Sequence, residues 1–492
     1  MVRDHIGVRP LCYSIKNDQL LFASHEFGIA KSNLIDITLS EEYLIQSFHP
    51  NNKQNYCLTV FTNINKVLPG HSLSISHNKQ EYRKYWYPEK IKKDETLSFE
   101  HSVTGLRHCL VKATVARMGQ GLLGAHISGG LDSSGIAAIV ADNIENKNRL
   151  IGYSWSPEES MGDVGGLNEK ELIEDFAKQK GVNISYMTYC DSTLIDDYIL
   201  PEFEQMPIEL FTMRKACNDG VSTIFSGWGG DEFVSLSLRG SLNHIVFRFK
   251  LRALIRWIKH FGIIATIARA RGEILPLLVP FGLLESGAFK RYGLKYFKKA
   301  FIVKHWKLFF FNRKKNYYGW GDRNRLMLKL IYNYHLPQRM DSWAMFGEKY
   351  GIEYKFPLLD KELLDFWFTV PIKYTYERMS YRCLYREAMK GILTESIRMR
   401  TNKDEAVFQK RNKLRKQKIK EKLVNRPDIF SESPYLKFFK TRTFQKLAAN
   451  QLETRIAFNL QMFDLHFFLR YKSLVEKYVS KNHDFSNVPK ED

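Results

Sequence analysis

Apolar and polar positions follow different rules in successive stretches of the chain. From residue 1 to about 90, short segments alternate with a period of two, as in Leu73-Ser74-Ile75-Ser76, the pattern of strands with one buried face. Lys90 to Glu95 is a charged linker. From about residue 100, short apolar runs are separated by segments of helical period. Gly124 to Ile127, Leu150 to Trp155, Ile184 to Tyr189 and Ser222 to Phe225 read as strands with helices between them. That alternation predicts an α/β fold built on a doubly wound parallel sheet. Residues 325–405 read as mostly helical. Gln409 to Leu423 reads as a charged, solvated helix, and Asp428 to Val475 as a helix with a mixed aromatic pattern. The polar tail beyond it is expected to fray.

The richest chemistry lies where the first of these strands ends. His126-Ile127-Ser128-Gly129-Gly130-Leu131-Asp132-Ser133-Ser134 passes directly into an Ala/Ile-rich helical pattern, Gly135 to Ala141. A strand, a Ser/Gly turn and a helix start make an anion-binding device. The glycines let backbone approach a phosphate, and the free N–H groups of the first helical turn point at it. Ser128, Ser133 and Ser134 add donors, and Asp132 offers a carboxylate to Mg²⁺. The chain lacks a Gly-Lys-Ser/Thr phosphate loop, which excludes the P-loop form of the same physics. About a hundred residues on, the strand Val221 to Phe225 is followed by Ser226-Gly227-Trp228-Gly229-Gly230-Asp231-Glu232. Ligands of open parallel sheets sit outside the carboxyl ends of strands, so Asp132 and Asp231 are candidates to face one nucleotide and its metal. A third element is Gly351-Ile352-Glu353-Tyr354-Lys355-Phe356-Pro357-Leu358-Leu359-Asp360, then Tyr381 to Lys403 ending in Arg400-Thr401-Asn402-Lys403.

In this order and spacing, SGGLDSS, SGWGGDE, IEYKFPLLD and the helix leading to Lys403 resemble the asparagine synthetase family over roughly residues 100–405. The resemblance implies a synthetase domain of the adenine nucleotide alpha hydrolase-like type with a helical C-terminal part, over residues 98–480, and ATP and Mg²⁺ as cofactors. It implies that Ile127, Ser128, Gly129, Gly130, Asp132, Ser133 and Ser134 hold the nucleotide, with Ser226 and Gly227 near the ribose and adenine. Asp132 and Asp231 would carry Mg²⁺, and Lys403 would neutralise the developing pyrophosphate. Glu353 would orient or deprotonate the attacking amine, a structural salt bridge being the competing reading. The family reaction activates a carboxylate as an acyl-adenylate, which an amine opens to an amide.

The front of the chain carries a second resemblance. Arg3-Asp4-His5-Ile6-Gly7-Val8-Arg9-Pro10-Leu11, Leu20 to Ser24, Val67 to His71 and Tyr85-Trp86 look like the latter part of the family's glutaminase domain. Residues 1–92 are therefore expected to form a β-rich remnant of an Ntn-type glutaminase. In complete enzymes the nucleophilic Cys follows the initiator Met; here residue 2 is valine. None of Cys12, Cys57, Cys109, Cys190, Cys217 and Cys383 takes that position, so glutamine hydrolysis is not expected. Within SGxG, asparagine synthetases typically place Glu where this chain has Trp228, and an indole there should remodel the acceptor pocket. Leu336 to Trp343 and Tyr350 to Asp360 look more like the related cyclases that close lasso peptides, which join an Asp or Glu side chain of a precursor peptide to its N-terminus. Asparagine-type amidation of a small carboxylate and macrolactam closure on a precursor peptide stand as alternatives. A nucleotide-binding pseudoenzyme is a third, opposed by Asp132, Asp231 and Lys403. A tRNA-modifying ATP pyrophosphatase would leave IEYKFPLLD without a purpose.

Composition adds bounds. The 492 residues suffice for two or three domains with sizeable cores. Six cysteines without close pairing or ligand spacing exclude a disulfide framework and structural zinc. The polar start has no signal-peptide core, so a cytoplasmic protein is expected. The net charge of +21 is concentrated: His244 to Lys315 holds seventeen Lys and Arg against Glu273 and Glu285. This basic, aromatic insertion, at about 240–320, contains Arg248, Arg252, Arg256 and Lys259 at helical spacing, interleaved with Leu251, Leu254, Ile255 and Ile258. It reads as a solvated helical subdomain, as a docking surface for a precursor peptide or acidic partner protein, or as a membrane-surface or nucleic-acid contact, nucleic acid being disfavoured. The run Ile274 to Leu284 contains two prolines and is too short to span a bilayer.

Overall fold

The computed structural model describes residues 1–38, 40–47, 55–76, 79–155, 169–186, 207–236, 238–274, 297–307, 322–332, 335–400, 438 and 440. The N-terminal part is β-rich. β1 (Cys12–Lys16) and β2 (Gln19–Ala23) form a hairpin over Asn17 and Asp18. Both turn residues have positive φ, the geometry that two-residue hairpin loops demand and that Asn and Asp tolerate. β3 (Asn65–Lys66) pairs with the other edge of β1, and β4 (His71–Ser76) with β5 (Lys79–Lys84) forms a second antiparallel hairpin.

The second part is the α/β layer. β6 (Leu123–His126), β7 (Leu150–Ser154), β8 (Asn183–Tyr186), β9 (Thr223–Phe225) and β10 (Glu353–Lys355) form one parallel sheet in the order β10-β9-β6-β7-β8. Four of these strands lie within a residue or a few of the sequence expectation. β10 lies inside a stretch expected to be helical, and three extended residues carry too little pattern to announce a strand.

The helix α1 (Leu131–Asn143) follows β6 and is buried along Ile136 to Ala141, as its uninterrupted apolar run demands. The helix α2 (Phe99–Val115) precedes β6, capped by Ser98, whose hydroxyl accepts the His101 N–H at 3.0 Å. It packs against α3 (Lys361–Thr369), whose own cap is Asp360. The expected helix from Tyr381 toward Lys403 is broken into α4 (Cys383–Ala388) and α5 (Glu395–Arg398), with Gly391 in the left-handed region between them.

The two parts share one core. Ile6 and Trp86 belong to the same buried cluster as Leu123, Ile224 and Tyr354. At the seam, α6 (His335–Tyr350) presents Asp341, whose carboxylate accepts from Arg3 Nη2 (2.7 Å), Lys66 Nζ (2.9 Å) and Tyr56 OH (2.9 Å). Trp86 Nε1 donates to Asp365 at 2.8 Å, and His5 Nε2 lies 2.8 Å from the Leu359 carbonyl oxygen. No helix among the described residues is long and apolar enough to cross a membrane.

Candidate active site

Strand order fixes where a ligand belongs. From β6 the chain winds outward to β7 and β8, then returns to lay β9 on the other side of β6. The crevice outside the carboxyl ends of β6 and β9 is therefore the topological switch point, where the two crossover connections diverge. Both Gly-rich loops open there.

The first loop is shaped by its own serines. The Ile127 N–H continues the ladder to the Tyr153 carbonyl at 2.9 Å. The Gly130 N–H donates to Ser128 Oγ at 3.2 Å, and Ser134 Oγ donates to the Ser128 carbonyl. Gly130 is the N-cap of α1 and leaves that helix's first N–H groups facing the loop. The Gly129 N–H already holds an anionic oxygen, that of Glu169 at 3.1 Å, while Arg400 Nη1 donates to the Gly129 carbonyl at 3.0 Å. The loop is thus polarised to receive negative charge.

The second loop lies directly on the first. A Cβ on Gly227 would overlap the Asp132–Ser133 peptide, and one on Gly230 would stand 2.6 Å from the Asp132 carboxyl carbon. Only glycine permits that approach. It brings Asp132 and Asp231 to one guanidinium: Arg382 Nη1 donates to Asp132 Oδ2 at 3.1 Å, and Nη2 donates to Asp231 Oδ1. Arg382 is the left-handed N-cap of α4, at φ 60°. Neither it nor Glu169 was anticipated as a site residue. Their roles arise from tertiary placement; Arg382 lies within the Tyr381 to Lys403 segment, whereas Glu169 belongs to none of the motifs.

Beneath the loops, His126 Nδ1 is 3.2 Å from Ser226 Oγ, which also accepts the Trp228 N–H at 3.2 Å. On its other side His126 Nε2 lies 3.3 Å from the Glu209 carboxylate, to which Tyr354 OH donates at 2.7 Å. His126 thereby ties Ser226 to the sheet, while its Nε2, though close to Glu209, makes no hydrogen bond among the described residues. Burial and Glu209 push the Tyr354 phenol well up, so it remains a donor. The Trp228 indole packs edge-on against Trp343, with ring centres 5.1 Å apart, and edge-on to Phe356 at 6.5 Å.

Glu353 stands apart from the aspartates. It pairs with Thr223 at the start of β9, whereas Asp231 follows from that strand's end. Its carboxylate meets Arg9 and Lys355 (2.5 Å). Burial lowers the Lys355 ammonium, with Arg9 and Arg117 adding to the effect. Glu353, Arg9, Met340, Trp343 and Phe356 line a cleft of about 270 Å³ at the seam between the two parts. Trp343 and Phe356 thus separate this cleft from Trp228. Lys403 lies outside the described residues.

The described thiols are poor nucleophiles in the N-terminal part. Burial, then the Glu26 carboxylate 3.9 Å away, push the Cys12 thiol well up; burial pushes Cys57 up to about 11.

The family model for asparagine synthase matches residues 105–467, and that for a glutamine amidotransferase domain matches residues 1–86. The chain belongs to the asparagine synthase family. It is 24% identical to asparagine synthetase [glutamine-hydrolyzing] 1 of Bacillus subtilis over 432 residues, 80% of this chain and 63% of that protein. Amidase chyE of Penicillium rubens is 26% identical over 251 residues, 47% of this chain and 36% of the relative. Amidase chry2 of Gibberella zeae is 27% identical over a similar span, 47% and 36%. The chain thus spans about a third of the length of the two amidases and less than two thirds of the Bacillus synthetase.

Proposed function

We propose that this chain is an ATP-dependent amide-bond-forming ligase of the asparagine synthetase type, forming AMP and pyrophosphate. The observation that carries the reading is the convergence of Asp132 and Asp231 on one cation at the switch point, beside a loop whose N–H already holds a carboxylate oxygen. In this reading residues 98–480 are an adenine nucleotide alpha hydrolase-like synthetase unit, and residues 1–92 an Ntn-type, glutaminase-like part that packs on it.

ATP phosphates lie along Ile127 to Ser134, with the nucleoside toward Ser226 and Gly227. The donor set fits Mg²⁺: two carboxylates meet one positive charge, and Mg²⁺ commonly takes one or two carboxylates plus phosphate oxygens. Held by Asp132 and Asp231, the ion would offset charge on the phosphates. A substrate carboxylate oxygen bonds to the α-phosphorus, and the bond to the β-bridging oxygen breaks, releasing pyrophosphate. An amine then bonds to the acyl carbon, loses its proton, and AMP departs. Lys403 and Arg382 stabilise the charge on departing pyrophosphate. Glu353, held by Arg9 and Lys355 on the wall of the seam cleft and apart from the aspartates, fits the salt-bridge reading better than a role toward the amine.

Two acceptors remain to be separated. Amidation of a small carboxylate is the asparagine-type reaction. Closure of a macrolactam on a precursor peptide is favoured by Trp228, whose indole cannot take the role of the family's usual Glu and is packed on Trp343. ATP–pyrophosphate exchange decides. Exchange with free aspartate supports the first; exchange only with an Asp- or Glu-bearing precursor peptide supports the second. Asp132→Ala and Asp231→Ala should each abolish it. ATP binding with no exchange on any carboxylate would overturn the ligase reading in favour of a pseudoenzyme.

A further inference from the structure

Beyond the site, the basic insertion presents a surface that the catalytic reading does not use. The helices α7 (Leu251–Phe261) and α8 (Ile263–Glu273) meet at Gly262, whose φ of 82° turns one into the other. The inner side of α7 is ordinary core: Ala253 and Trp257 pack on Leu238, Leu242, Ile245, Ile372 and Tyr376. Its apolar stripe is wider than that core covers. Leu251 and Ile255, one turn apart, continue the stripe into solvent.

The second helix is turned the other way. Its buried position is Thr266, while Ile263, Ile264, Ala265, Ile267 and Ala268 face outward. Together with Phe249, the large side chains Leu251, Ile255, Ile263, Ile264 and Ile267 are 54–85% exposed. Scattered exposed apolar residues need no explanation, but five on two consecutive helices, with Phe249 just before them, do.

Charge identifies what covers them. Residues 248–271 contain seven Lys and Arg and no Asp or Glu. Arg248, Lys250, Arg252, Arg256, Lys259 and Arg271 are exposed, and none has an ion-pair partner among the described residues. A helical pair with a broad outward apolar face, flanked by cations and carrying a carboxylate only at its far end, Glu273, has the chemistry of an interfacial lipid contact. Aliphatic side chains enter the headgroup boundary, and Arg and Lys meet phosphates. The surface is outward-facing, not a groove, which disfavours an acidic peptide. We infer that the α7–α8 pair binds the surface of an anionic lipid bilayer. Phe261 at the end of α7 packs on Tyr381, the neighbour of Arg382, with ring centres 5.8 Å apart, so the contact borders the candidate active site.

The test is co-sedimentation of the full chain with phosphatidylcholine vesicles, with and without phosphatidylglycerol. Binding to the anionic vesicles alone, weakened by added salt, is the expected result. Ile264→Glu/Ile267→Glu should abolish it, and Arg252→Glu/Arg256→Glu should weaken it at least about tenfold, each removed cation near a charged surface costing affinity. Circular dichroism melts matching the parent establish that both variants fold. Equal binding with and without phosphatidylglycerol, or binding indifferent to both variants, would overturn the inference. So would failure to bind vesicles together with a light-scattering mass that doubles and returns to monomer in the isoleucine variant; that result makes the face a self-association surface. Capture of a polyglutamate peptide without vesicle binding would assign it to an acidic partner instead.

Discussion

Arg382 shows what a single residue adds that its neighbours in the sequence do not reveal. Asp132 and Asp231 are legible as candidates because each follows a glycine pair at a strand end. Arg382 is not, because its reach depends on a left-handed backbone at the start of a six-residue helix and on two loops folded against each other. In the nucleotide-free protein its guanidinium offsets repulsion between the two carboxylates, and it competes with any cation that they bind. Arg382→Ala should therefore raise the affinity of nucleotide-free protein for Mn²⁺, read by electron paramagnetic resonance, several-fold. The same variant should slow ATP–pyrophosphate exchange by roughly 10²–10³, the usual loss when one preorganised donor to developing charge is removed. Unchanged Mn²⁺ affinity would detach Arg382 from the metal carboxylates. Gly227→Ala makes a second test of the same junction. Its Cβ overlaps the Asp132–Ser133 peptide, so ATP binding should fall at least tenfold while the circular dichroism spectrum is retained.

Among the elements, α6 does most to join the two parts. It carries Trp343 to the seam cleft and Asp341 into a site where three donors from the N-terminal part meet one carboxylate. Burial alone would raise the Asp341 carboxyl; Lys66 and Arg3 outweigh it and hold the group below its ordinary range. A depressed folded-state value means that this stabilisation is complete above the ordinary pH for aspartate and is lost as pH falls through the folded-state value. Asp341→Asn leaves Arg3 and Lys66 buried without that counter-charge. It should cost about 3–5 kcal/mol in urea unfolding at neutral pH, the usual penalty for orphaning a buried charge. The difference between parent and variant should shrink at strongly acid pH; a difference that does not change with pH would assign the loss to packing. Sequence pattern located β6, β7 and β9 well, since each is a buried run between turn signals, and β8 through the alternation of Ile184 and Tyr186 at the sheet edge. It missed β10, whose three residues, Glu353, Tyr354 and Lys355, alternate polar and apolar over too short a span. It also could not see that Asp341, in a helix of mixed polarity, is the acceptor for an arginine 338 positions away.

Over the whole molecule, the seam decides whether the chain behaves as two domains or one. The N-terminal part contributes Ile6 and Trp86 to the core of the sheet, and its polar links reach several elements, among them Asp341 on α6, Glu353 on β10 and Asp365 on α3, with Leu359 in the turn before α3. An interface joined by a common core unfolds with it, so scanning calorimetry should give one transition for the two parts, not two. Acidification should act on this transition through His5. The imidazole packs edge-on against Trp86, at 5.0 Å between ring centres, with its Nε2 at the Leu359 carbonyl. Burial lowers its affinity for a proton and outweighs the opposing pull of Asp4, the Leu359 carbonyl, Asp360 and Asp365. The unfolded chain therefore takes up a proton near the ordinary value of 6.5, before the folded protein does. The stability that His5 contributes is present above that pH and drains away as the pH falls below it toward the folded-state value. His5→Gln retains a side-chain N–H for the carbonyl and cannot titrate. Its melting temperature should fall less than that of the parent between roughly pH 7 and pH 5, the range over which histidine changes charge. Parallel pH profiles for the two proteins would remove His5 from the seam's pH response, and two resolved transitions in either would refute the shared core.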